Sequence, residues 1–253
     1  MPQFPLRADL AALHSDAIAY AADIQNKIAA RGGCKNLASE ALNALAFSAI
    51  LTHRSVRTLC EEGWTPITSV LNRTLLDIFA NSVAVVNKPA DADYMGFKYL
   101  THFLRKWLKD PNITGAERTG VAATVEEMVG KLQTADQARS RTLLAERDPT
   151  PYWFQPEYGS PKKVLTLSPH PIYEIYKLFS GPTHGGYDIK ILLNDDPASE
   201  NIEPREHSRN VPKAIAGSSR LLLEVCYIRD RWDNSGAGEW IYAELVTRLN
   251  ALR

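Results

Sequence analysis

Tyrosine, serine and histidine gather in one short stretch of this chain, Tyr173-Glu-Ile-Tyr-Lys-Leu-Phe-Ser-Gly-Pro-Thr-His184-Gly-Gly-Tyr187, and each of these side chains can hold or pass a proton. Gly181 suits the left-handed position after a helix, and Pro182 has no N–H with which to continue one. A helix opening near Ser168-Pro169 is therefore predicted to stop around Ser180. His184 then lies on a loop, where Gly185 and Gly186 leave room for a ligand or for a tight turn. In that setting His184 is a candidate general acid or base, with Ser180 and Tyr176 orienting its ring and Tyr187 beside a bound ligand. The plainer alternative is a loop histidine bonded to a backbone carbonyl, with Tyr173 and Tyr176 as core residues. No Ser-His-Asp triad follows, because such a triad is defined by space and not by order along the chain.

A second group lies a hundred residues earlier. Arg73, Asp77 and Asn81 recur at i, i+4 and i+8 on a helix whose other positions include Val70, Leu71, Leu75, Leu76, Ile78, Phe79 and Val83. A polar stripe on so apolar a helix must find partners. Either it is a structural ion pair, or Asp77 holds the Arg73 guanidinium in place to bind an anion. His53 and Arg57 share a face after the most apolar stretch of the chain. They are the exposed end of a buried helix or, if consecutive helices pack antiparallel, neighbours of Arg73 in ligand binding. The full expectation is that Arg73, Asp77, Ser180 and His184 converge on one site that takes a small anionic or nucleotide ligand.

Composition bounds these readings. Lys+Arg and Asp+Glu are both 29 in 253 residues, so net charge gives no footprint for RNA or an anionic membrane. Cys34, Cys60 and Cys226 are too few and too far apart for a disulfide framework or a zinc knuckle, which fits a reducing cytoplasm. The start of the chain lacks the basic and apolar regions of a secretory signal, and the longest charge-free apolar run, Ala41 to Thr52, is shorter than the about 20 residues a spanning helix needs. No His-Glu-x-x-His, Cys-x-x-Cys, Gly-x-x-x-x-Gly-Lys-Ser/Thr or Gly-x-Gly-x-x-Gly is present, which argues against zinc proteases, P-loop enzymes and dinucleotide-binding dehydrogenases. No metal or cofactor is expected.

The elements that must position these residues are helices. Ala8 to Arg31 closes at Gly32-Gly33; Ser39 is read as the cap of a second helix to about Glu62; Thr65-Pro66 opens a third, to about Val86. Asp91 to Lys109 is a fourth, read as an ordinary surface helix with Lys98, Arg105 and Lys106 off its apolar side. The stretch from Thr114 to about Arg147 is long enough to break near Gly130. Residues 148–171, with six prolines and the aromatics Tyr152, Trp153, Phe154 and Tyr158, read as an ordered loop packed across the bundle. Ile189 to Leu193 is the one extended candidate. Helices resume at about Val211 to Trp232, where Ala214, Ala216, Gly217 and Ser218 permit close packing, and at Glu239 to Leu252. The expected fold is all-α, a single-domain multi-helix bundle.

Two of these motifs together resemble a family of bacterial all-helical proteins of unknown function, grouped with abortive-infection and HEPN-like proteins. Arg73-Thr-Leu-Leu-Asp77 is similar to its Arg-x-x-x-acidic helix, and Tyr176-Lys-Leu-Phe-Ser180-Gly-Pro-Thr-His184 to its Tyr-x-x-x-Ser-x-x-x-His. The resemblance implies an all-α fold in which the two motifs meet. The family supplies no established activity; the residues themselves are read as the pocket of a nucleotide- or RNA-directed hydrolase of a defence or toxin-type system, with a homodimer among its expected forms. The alternative is a non-catalytic binding or scaffold protein in which the same residues form a structural polar network. Arg7 and His14 have the outermost Arg-x4-6-His spacing of HEPN ribonucleases, but with Ala8 after the arginine the pair is read as an i, i+7 coincidence.

Overall fold

Glycine closes the first two helices. At the end of α1 (Ala8–Ala30) the Gly32 and Gly33 amides donate back to the Ala29 and Ile28 carbonyls, and both glycines have positive φ. At the end of α2 (Leu37–Glu61) the Gly63 and Trp64 amides do the same to Cys60 and Leu59. Each is a Schellman closure, which satisfies carbonyls the helix leaves open and needs a residue at ease in the left-handed region. The computed structural model describes residues 4–64, 67–146, 153–155, 157–168 and 204–251. Among these residues the structure is helical and without strands, an all-α multi-helix bundle.

After α3 (Thr68–Val86) a 3-10 turn at Pro89–Asp91 leads into α4 (Ala92–Leu108). The long charged stretch does break after Gly130, into α5 (Gly115–Gly130), opened by a reciprocal capping box of Thr114 and Glu117, and α6 (Thr134–Ala145). A short α7 (Pro161–Leu165) precedes α8 (Pro204–Asp233), which begins earlier than its periodicity suggests and carries Pro212 within it, and α9 (Glu239–Asn250). The 189–193 extended candidate and the helix expected up to Ser180 lie outside the described residues.

The main core draws on α1, α2, α3, α4, α7, α8 and α9, with α2 packed against α3, α8 and α4; a smaller cluster of Phe97, Val129, Leu132 and Leu143 seats α5 and α6 on α4. Among the described residues α3 alone is long and apolar enough to cross a membrane, but 56% of that stretch is buried in the bundle, the environment a core helix of this composition needs.

Two expectations are corrected by long-range contacts. The cap of α2 is Asn36, whose side chain accepts from the Ser39 amide at 3.0 Å; Ser39 itself is buried and donates its hydroxyl to Asp233 of α8. Asn36→Ala should therefore cost about 1 kcal/mol in urea unfolding. On α4, Lys98 and Arg105 are buried, not peripheral. Lys98 Nζ donates to the Gln155 carbonyl (3.0 Å) and to Glu157 (2.6 Å), while Arg105 donates to the Leu143 carbonyl (2.6 Å). Burial pushes the Lys98 ammonium down and its bond to Glu157 pulls it back up.

Those bonds help hold the Pro/aromatic segment to the body. Trp153, Phe154 and Tyr158 are buried, and the Trp153 indole donates to Asn81 at 2.9 Å. Tyr152 lies outside the described residues. Trp153→Phe removes this donor and also shrinks a buried indole to a single ring, so a loss of about 2 kcal/mol in urea unfolding is expected.

Candidate functional site

The polar stripe of α3 divides between two tasks. Arg73 and Asp77 meet as predicted, Nη2 to Oδ1 at 3.2 Å and Nε donating to Oδ2 at 3.4 Å, with the guanidinium largely buried and the carboxylate half-exposed. Partial burial pushes the Asp77 carboxyl up, against the pull of Arg73. Asn81 turns away to receive Trp153. One residue before Arg73, buried Asn72 donates to the Ala214 carbonyl of α8 at 3.3 Å. His184, Ser180, Tyr176 and Tyr187 lie outside the described residues.

His53 does not present its ring to a ligand. It is 0% exposed, because α2 continues two turns beyond it and α1 and α8 close over it. Its ring stacks on that of His14 with centroids 4.1 Å apart. Ser218 gives its hydroxyl proton to the Ile215 carbonyl (3.1 Å), so at 2.9 Å it must accept from His53 Nδ1–H. His14 Nε2–H donates to the His53 carbonyl at 3.3 Å. Each ring thus has one proton, already engaged, and one bare nitrogen, His14 Nδ1 and His53 Nε2, without a hydrogen-bond partner among the described residues. Burial, reinforced by the neighbouring imidazole, pushes His53 down to about 3; burial also lowers His14. Both rings are neutral at pH 7 and neither can attract an anion. His14 falls on the buried stripe of α1 with Leu10, Leu13, Ala17, Tyr20, Ala21 and Ile24, whereas Arg7 is exposed and pairs with Asp9 at 2.7 Å. That geometry gives no shared Arg7–His14 site.

Further polar residues, unremarked in the sequence, collect on α8. Glu224 is buried, with Arg220 at 2.6 Å and the Tyr242 hydroxyl donating to it at 2.6 Å. Arg229, also buried, donates to Gln25 of α1 at 2.5 Å and lies 3.8 Å from Asp233. Asp230 accepts from the Ser235 hydroxyl, the Ala237 amide (3.3 Å) and the Tyr20 hydroxyl (3.4 Å). The signal that could have found them is the Arg-x-x-x-acid spacing of Arg73–Asp77, which recurs at Arg57–Glu61, Arg220–Glu224 and Arg229–Asp233.

Between α3 and α8 lies a cleft of 310 Å³, walled largely by apolar side chains, with Arg231 on its lining. Among the described residues no group of three or more His, Cys, Asp or Glu side chains is arranged to hold a metal ion. No family model, curated protein or solved structure matches the chain.

Proposed function

We propose that this protein is a non-catalytic helical binding or scaffold protein whose paired charges and buried imidazoles fix the register of its helices. One observation carries this reading: Arg73–Asp77 is one of four Arg-x-x-x-acid ion pairs among the described residues, and two of the others, Arg220–Glu224 and Arg229–Asp233, tie α8 into the bundle through Tyr242 and Gln25. A charge pair at i, i+4 is thus this chain's ordinary device for placing polar groups among packed helices. His53, closed between His14 and Ser218, serves the same end. Arg73→Ala is expected to lower stability by about 1 kcal/mol in urea unfolding, mainly through lost packing of the largely buried Arg73 side chain, since the half-exposed Asp77 is screened by water.

A nucleotide- or RNA-directed hydrolase, acting in the cytoplasm in a defence or toxin-type role, is the second reading. It rests on Arg73, whose guanidinium is oriented by Asp77 as that of an anion-binding arginine would be. Incubating the full chain with nucleoside triphosphates and with oligoribonucleotides separates the two. Turnover that Arg73→Ala abolishes in a still-folded protein would establish the hydrolase, whereas a destabilised Arg73→Ala protein and no turnover by the parent chain support the scaffold.

A further inference from the structure

From the cleft between α3 and α8 we infer a binding site for a small amphipathic anion, an apolar body of about two fused rings carrying one acidic group. The inference rests on the binding-protein reading and names what such a protein would hold.

Phe79 and Val83 of α3 face Tyr227, Ile228 and Trp232 of α8 across the cleft. These walls offer an apolar ligand contact area and little to hydrogen-bond. A cavity of about 150 Å³ lined by such residues accommodates one benzene ring, so 310 Å³ takes a body of about twice that size. Charge on the lining decides the polar end of the ligand. The Glu224 carboxylate is held by Arg220 and by the Tyr242 hydroxyl, both at 2.6 Å, so its charge is answered within the protein and does not call for a ligand cation. Tyr242 is itself braced by stacking on Tyr227, centroids 4.3 Å apart, which fixes that wall. Among the described residues of the lining Arg231 is the cation, and its side chain is 63% exposed. It bonds Glu239 through Nη1, and a guanidinium has further N–H donors with which to meet an acidic group. Asn87, on the lining at the α3 terminus, is bonded to Tyr158 through its amide nitrogen at 3.4 Å. An apolar slot with one cation on its lining reads an apolar acid by burying its body and pairing its head.

The test is calorimetric titration of the full chain with three probes of one shape: 1-naphthalenesulfonate, 1-naphthylmethanol and 1-naphthylmethylammonium. The sulfonate is expected to bind at least tenfold more tightly than the other two. Arg231→Gln, an exposed change that should leave circular dichroism untouched, is expected to erase that preference while retaining binding of the neutral probe. Val86→Trp, at the partly buried end of the cleft, is expected to weaken all three at least tenfold. Equal affinities in the parent chain, no binding of the sulfonate at millimolar concentration, or a preference unchanged in Arg231→Gln would each overturn the site, whether or not Val86→Trp folds. A failure here without turnover leaves the binding or scaffold reading in place, and Arg73-dependent turnover removes that reading whatever the cleft binds.

Discussion

Between pH 7 and pH 4 the fold is expected to lose about 3 kcal/mol on account of His53 alone. In the unfolded chain its imidazole takes a proton near pH 6.5; in the bundle it does so only at about 3, because the ring is buried against His14. Across that window the unfolded state holds more protons, so stability is full above pH 6.5 and falls as the pH drops toward 3. His14, lowered in the same direction, adds to the slope. Urea unfolding of the parent chain and of His53→Asn at pH 7, 5.5 and 4 measures it. Asparagine can still donate to Ser218 but does not titrate, so the variant should start less stable at pH 7 and lose about 3 kcal/mol less on acidification. Parallel stability curves for the two proteins would refute a neutral, sealed His53.

Gly96→Ala should be strongly destabilising. A Cβ on Gly96 would lie 2.5 Å from the Leu37 carbonyl oxygen and 2.8 Å from the Ala38 amide nitrogen, and backbone cannot swing aside as a side chain can. The site is further pinned by Asp93, which accepts from the Ala38 amide at 3.1 Å. A loss of about 3 kcal/mol or more is expected. The same substitution at Gly120, within α5 and with nothing within 4 Å, is expected to stabilise by about 0.5–1 kcal/mol, because alanine is the better helix former. Thermal unfolding of the pair gives two shifts of opposite sign if α4 meets the start of α2 through backbone.

What the chain discloses by itself follows the range of the interactions involved. The ends of α1 and α2, the start of α5 at Thr114 and the break after Gly130 were legible because the residues that set them act within a single turn, although the reciprocal capping box of Thr114 and Glu117 was not read. The burial of Trp153 and Phe154 was legible from the density of aromatics. The cap of α2 was not, since Asn36 and Ser39 are both suited to capping and Asp233, the partner that takes Ser39, stands 194 residues away. Lys98 and Arg105 read as surface cations because their acceptors, Gln155, Glu157 and Leu143, belong to segments with no periodic relation to α4. At the candidate site Arg73–Asp77 is a one-turn contact and was found. His53 was expected at an exposed helix end or beside Arg73 and is instead sealed in the core, because its stacking partner and its acceptor come from α1 and α8, and no spacing encodes that meeting.

The bonds that seat α1 span almost the whole chain. Gln25 receives Arg229, Tyr20 reaches Asp230, Lys27 reaches the Gly236 carbonyl, and Asp16 pairs with Arg248, separations of 204, 210, 209 and 232 residues. Chain closure of that length is slow compared with the local closures that form α1 or the α2–α3 hairpin. On a ribosome synthesising about 5–20 residues each second, α1 emerges many seconds before the helices it binds and waits with Leu13, Ala17 and Ile24 uncovered. α1 is thus made well before the helices that seat it, and its docking waits on the synthesis of α8 and α9.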